Sequence, residues 1–209
     1  MLTNYIKKLL QNKINLVKLD QVIDYIDKNS SFVSQVTLYP YLKTRAGTQH
    51  PKLFENEKFL NSLRISRWHI YISCVNDMSI FIASICAKDY DYSNIKAYKL
   101  AKYLSSTIFK KIKQNDIDDS EFHLSVKNIS KIYKGLILNQ ITKRDVLFKK
   151  SADDLIKWAP VSEQFKKEDE TILRNSINFR WIPIRKEVHQ NIDTNEINKQ
   201  WKTLSENYS

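Results

Sequence analysis

The stretch Ile70-Tyr71-Ile72-Ser73-Cys74-Val75-Asn76-Asp77-Met78-Ser79-Ile80-Phe81-Ile82-Ala83-Ser84-Ile85-Cys86-Ala87 is the most apolar part of the chain, and its reading decides the fold. It has about the length of a bilayer-crossing helix. Its content argues otherwise, because Ser73, Asn76, Asp77, Ser79 and Ser84 interrupt it and an aspartate near the bilayer centre costs about 2.5–3.5 kcal/mol. A core helix of a water-soluble bundle holds the same residues without that cost.

The rest of the 209 residues agree with a helical reading. The chain has 2 glycines and 4 prolines, where average usage gives roughly 25 of the two together. Phosphate-cradling loops need clustered glycines, and sandwiches and barrels need many tight turns. Outward from the core stretch, Asn56 to Ala87 reads as one long helix or two consecutive ones, with the next cap near Ser93 or Asn94. Before it, Asp20 caps a helix through Asp27, Asn29 to Ser31 make a break, and a further helix is kinked at Pro40 and stopped at Gly47. After it come a helix from Glu121 to Leu138 and a short one opened by Ser151, Asp153 and Asp154. Ser162 opens another that runs to Pro183, and a last one is capped by Thr194. The expected architecture is all-α: residues 1–19 form an N-terminal amphipathic segment, and residues 20–209 form a single-domain helical bundle of seven to nine helices.

The formal charge is +11, from 34 basic and 23 acidic residues. Only seven of the basic residues are Arg, and Lys, Asn and Ile make up about a third of the chain. All three have AT-rich codons, so the excess of lysine reflects base composition as readily as binding. The charge is concentrated between residues 93 and 150, where Lys96, Lys99, Tyr103, Ser106, Lys110 and Lys113 recur at helical spacing opposite Ala97, Ala101, Leu104 and Ile108. Such a stripe fits either phosphate contact or an ordinary solvated face. Residues 1–19 contain Lys7, Lys8, Lys13 and Lys18 and no acid before position 20, a pattern suited to an anionic membrane surface or to a docking helix.

Catalytic and metal chemistry find little footing. His69, Ser73 and Asp77 fall at i, i+4 and i+8, but a triad needs the histidine between nucleophile and carboxylate, and here the serine is in the middle. There is no Gly-x-Ser-x-Gly turn, so a polar ladder between packed helices is the plainer reading. The four histidines, His50, His69, His123 and His189, lie far apart and form no ligand pair, so neither metal nor cofactor is expected. Cys74 and Cys86 are twelve residues apart on one helix, about 18 Å along its axis, too far for a disulfide. With no signal sequence, the chain reads as a reduced, cytoplasmic protein, with a peripheral seat on the inner membrane left open by residues 1–19.

In a lysine-rich chain an arginine is more often present for its rigid bidentate fork. Arg45, Arg64 and Arg67 flank the His50 loop, and Arg174, Trp181 and Arg185 share a helical face with Arg180 nearby. These eight residues are the candidate surface for a partner or small anionic ligand. Internal ion pairing, as between Glu170 and Arg174, is the competing account.

Three stretches carry a family resemblance: Leu38-Tyr39-Pro40-Tyr41-Leu42-Lys43-Thr44-Arg45-Ala46-Gly47-Thr48 with Pro51 to Glu55; Trp158-Ala159-Pro160; and Arg174-Asn175-Ser176-Ile177-Asn178-Phe179-Arg180-Trp181. Across roughly residues 30 to 202 the chain resembles a group of small alphaproteobacterial proteins that carry the label "esterase" without a hydrolase motif. The resemblance implies a bacterial, intracellular, helical protein whose distinctive positions are arginines and aromatics. The leading expectation is therefore a non-enzymatic helical interaction or assembly module binding a protein or anionic partner. A small-ester hydrolase, and a nucleic-acid or anionic-membrane binder acting through the lysine stripe, stay as alternatives.

Overall fold

A computed structural model describes residues 14–112, 129–141 and 147–206. Within them the fold is all-α, with seven helices of six residues or more: α1 Leu19–Ala46, α2 Glu57–Asp89, α3 Asn94–Lys111, α4 Lys149–Trp158, α5 Glu163–Glu168, α6 Glu170–Asn191 and α7 Thr194–Ser205. Two single turns, His50–Leu53 and Ile129–Ile132, lie between them. Among the described residues the one extended contact is an isolated bridge between Leu16 and Ile192. The turn expected at 115–120, Lys113 and residues 121–128 of the expected 121–138 helix lie outside the described residues. The described remainder is not one helix, because the turn Ile129–Ile132 ends before Gly135, whose φ of 93° a continuing helix does not allow, and a separate turn forms at Leu138–Gln140.

The apolar stretch forms the C-terminal half of α2, and from Ile70 to Ser84 every side chain is buried. Helices α1, α3, α4 and α7 and the turn at Leu138–Gln140 surround it. Its most apolar window is 94% buried inside the fold, which explains why the sequence is apolar on every side rather than along one stripe. Asn56 starts α2 by accepting from the amides of Lys58 and Phe59 at 3.0 and 3.1 Å. Ser93 and Ser162 cap α3 and α5 in the same way.

Five local expectations are corrected. The break at Asn29–Ser31 does not occur: α1 is a single helix of 28 residues, because Ser30 and Ser34 are small enough to be buried in it. Pro183 sits inside α6 without ending it, and Pro40, where a kink was expected, likewise lies inside α1. Asp20 does not cap α1, which already begins at Leu19 with the Gln21 side chain folded back onto the amides of Val17 and Lys18 at 3.1 and 2.9 Å. Asp193 caps α7 in place of Thr194, and Asp169 separates α5 from α6 where one helix was expected.

Helices α1 and α6 run antiparallel. The Tyr25 hydroxyl, early in α1, donates to Glu187 late in α6 at 2.6 Å, and Arg45, near the end of α1, pairs with Asp169 at the start of α6. The described part of the N-terminal segment joins this pair. The Leu16 amide donates to the Asn191 carbonyl at 3.1 Å, and its carbonyl accepts from the Asp193 amide at 3.1 Å.

Both cysteines are fully buried on α2, and burial pushes the Cys86 thiol up to about 12 and raises Cys74 well above its ordinary value. A thiolate is the reactive form. The native protein should therefore show almost no reaction with Ellman's reagent, and both thiols should titrate in guanidinium; rapid native reaction would place at least one of them at the surface.

Candidate functional site

The polar residues of the core helix meet α4 rung by rung. The Ser66 hydroxyl bonds to the Trp158 carbonyl, and the His69 ring lies flat on the Trp158 indole with centroids 3.5 Å apart. Ser73 donates to Asp154, and Asp77 accepts from the Ser151 amide at 2.8 Å. Positions 66, 69, 73 and 77 are one stripe of α2, so the expected polar ladder is formed, with α4 antiparallel to it. The three residue types of a triad do not assemble. Ser73 is buried and directed at Asp154, while His69 is held one turn away on Trp158.

Asp77 is the deepest of these groups, at 0% exposure. It also accepts a hydrogen bond from the Tyr133 hydroxyl. Ser151 accepts from the Trp181 indole N–H at 3.3 Å and donates to the Phe148 carbonyl at 3.2 Å. Asp154, one turn on, pairs with Lys150 at 2.6 Å. Helix α4 begins at Lys149, two residues before the Ser151 start read from sequence, and its Phe148 cap offers no side-chain oxygen. Asp77 supplies that missing cap from another helix, placing a carboxyl group at an N-terminus where the helix dipole favours it.

The arginines singled out from sequence do not converge. Arg45 makes a bidentate pair with Asp169 and lies 4.4 Å over the Phe165 ring. That guanidinium holds the Asp169 carboxyl below its usual range, while burial and Asp169 push Tyr41 up to about 12. Arg174 pairs with Asp153 at 2.6 Å and Glu170 at 2.8 Å. Trp181 is fully buried, and Arg185 covers the Phe148 ring at 5.2 Å. His50 packs on Phe54 at 4.7 Å, Arg64 donates to Asn61 at 2.9 Å, and Arg180 is exposed. Arg185 lies sixteen residues past Asp169 on one helix, or about 24 Å along its axis, so Arg45 and Arg185 do not line one cleft. Arg67 stands apart from both, in a small cavity between α1 and α2.

The lysine stripe is interrupted. Ser106 is buried, Tyr103 packs on Trp201 of α7 at 5.5 Å, and Lys96 lies over the Tyr92 ring at 4.0 Å. The exposed basic face consists instead of Lys99, Lys102 and Lys110, with Lys111 paired to Asp24. Among the described residues no three His, Cys, Asp or Glu side chains gather as metal ligands do.

The most unusual surface is the outer side of α6. Leu173, Ile177, Trp181, Ile184 and Val188 bury one face, yet Ile172, Phe179 and Ile182 are 64%, 68% and 51% exposed on the other. Their spacing of 7 and 3 keeps them on one stripe. Pro183 lies on the same side and has no N–H, so the Phe179 carbonyl lacks its usual helical donor. Sequence reading reached this segment through the Arg174–Trp181 stretch but did not join its Phe179 to Ile172 and Ile182 as one exposed stripe, which a helical projection on the far side of Trp181 would have picked out.

Burial raises the Asp77 carboxyl to about 7, with Asp154 adding to the rise, against the lowering effect of its bonds from Tyr133 and Ser151. The folded state therefore keeps a proton that the unfolded chain releases near pH 4. Stability from this group is full below about pH 4 and falls as pH rises to about 7, by up to about 1.4 kcal/mol per pH unit. Asp77→Asn should remove that slope. In urea unfolding, wild type should lose on the order of 2–3 kcal/mol relative to the variant between pH 5 and 7, whereas parallel pH curves would show the carboxyl to be ionised throughout.

Comparison of the chain with family models, curated proteins and solved structures finds no match.

Proposed function

We propose that the protein is a non-enzymatic helical interaction module whose docking surface is the outer face of α6. The observation that carries this reading is the exposure of Ile172, Phe179 and Ile182 on a helix already anchored through its opposite face. Covering a large apolar side chain is worth about 1.5–3 kcal/mol, so three on one stripe can supply the central anchors of an interface. The backbone behind them is held by Trp181 and by the Arg45–Asp169 and Arg174 pairs. A fixed scaffold lowers the ordering cost of association.

Arg180 and Lys186 flank the stripe on the same helix, with Arg180 exposed. The partner that fits is a protein segment with an apolar face and acidic flanks. On this reading Arg45 and Arg174 of the candidate set act by fixing the helix that carries the surface. A cytoplasmic, bacterial setting accords with the two unpaired, buried thiols and with the family resemblance. The Ser73 hydroxyl, on which a hydrolase would depend, serves the ladder to α4.

A photo-crosslinking residue placed at Phe179 or Ile182 in living cells should give a discrete adduct, and the same residue at Lys99 should not. The pair Phe179→Asp and Ile182→Asp should abolish the adduct formed from Ile172 while leaving the melting temperature within a few degrees. Equal labelling at positions 179 and 99 would contradict the assignment.

A further inference from the structure

A small cavity lies between α1 and α2, and no residue of α6 lines it. Asp27, Ser31, Ser34 and Gln35 of α1 face Arg67, Trp68 and Tyr71 of α2 across a half-open cavity of about 280 Å³, closed at one side by Ile112. That volume is just under the roughly 300–1,000 Å³ of sites for drug-sized ligands. A ligand here is therefore small.

The lining is unusual in its charges. Asp27 and Arg67 share the cavity, yet among the described residues no ion pair joins them or ties either to another side chain of opposite charge. Asp27 instead accepts from the Tyr71 hydroxyl at 2.6 Å, which fixes its carboxylate and leaves further lone pairs available. The Arg67 guanidinium carries five donors and stands 5.7 Å from the Trp68 ring centre. Trp68 and Tyr71 meet edge to face at 5.7 Å and form a firm aromatic wall. On the α1 side, Ser34 donates to the Ser31 carbonyl at 2.9 Å, and Gln35 donates to the Ser31 hydroxyl at 2.9 Å. These bonds hold that wall in place.

A cation seat and an anion seat across one small cavity select a molecule that carries both charges. A simple carboxylate would satisfy Arg67 and leave Asp27 to solvent, and a simple amine would do the reverse. We infer that this cavity binds a small free α-amino acid, its carboxylate on Arg67 and its ammonium group on Asp27, with a short side chain against Trp68 and Tyr71. A fork-to-carboxylate contact is the geometry for which arginine is suited. A peptide terminus bears one of the two charges and is a poorer match.

Isothermal titration of the full-length protein with the free amino acids, one at a time, tests this. At least one small amino acid should bind, and its amide and its N-acetyl derivative should each bind at least tenfold more weakly. Arg67→Gln and Asp27→Asn should each weaken binding at least tenfold. The amide oxygen introduced by Asp27→Asn still accepts from Tyr71, so the far-UV circular dichroism and melting temperature of that variant should match wild type; Arg67→Lys provides a second variant if Arg67→Gln fails to fold. Absence of binding by every free amino acid, equal binding of a blocked derivative, or wild-type affinity in either charge variant would overturn the assignment.

Discussion

Asp77, a buried carboxyl group in the middle of the most apolar helix, accepts from the Ser151 amide and the Tyr133 hydroxyl, and the placement of three helices follows from those bonds. An unpartnered carboxyl there would cost several kcal/mol. Its position therefore fixes where α4 begins, and the start of α4 places Ser151 to receive the Trp181 indole of α6. Helices α2, α4 and α6 thus meet at Ser151, whose amide donates to Asp77 and whose hydroxyl accepts from Trp181. Because the accepting oxygens are present in both protonation states, the joint holds on either side of neutral pH, although its strength varies with pH.

The second fastening lies at the opposite end of α6. Asp169 joins it to Arg45 and so to α1, while Tyr25 and Glu187 close the far end of the same antiparallel pair. Held at both ends and along its inner face, α6 presents Ile172, Phe179 and Ile182 outward as a fixed surface. The arginines that stand out in the sequence act largely by this indirect route. Arg67 differs, since it faces a cavity and no carboxylate among the described residues forms an ion pair with it.

Much of the fold was legible in the sequence because the governing interactions are local. Asn56, Ser93 and Ser162 cap helices through amides two or three residues away, and the apolar run at Ile70–Ala87 declares a surrounded helix. The ladder stripe was legible too, from the spacing of His69, Ser73 and Asp77. What faces that stripe was not, because Asp154 lies 81 residues from Ser73 and Ser151 lies 74 from Asp77. The misplaced start of α4 has the same cause: its cap comes from another helix. The Asn29–Ser31 stretch looked like a break because polar residues favour turns, but packing of α1 against α2 outweighed that preference. The burial of Ser106 similarly depended on tertiary packing, which helical spacing alone cannot show.

Amide hydrogen exchange at Ser151 tests the Asp77 joint most directly. In the wild-type protein that amide should exchange only through opening of the core, with protection close to that of α2. In Asp77→Ala the amides of residues 149–152 should exchange by local opening, at least a hundredfold faster, while α2 keeps its protection relative to global stability; in Asp77→Asn, which retains an acceptor, most of the protection at Ser151 should remain. Undiminished protection of Ser151 in Asp77→Ala would contradict the account, since α4 would then be held without the carboxyl group that starts it.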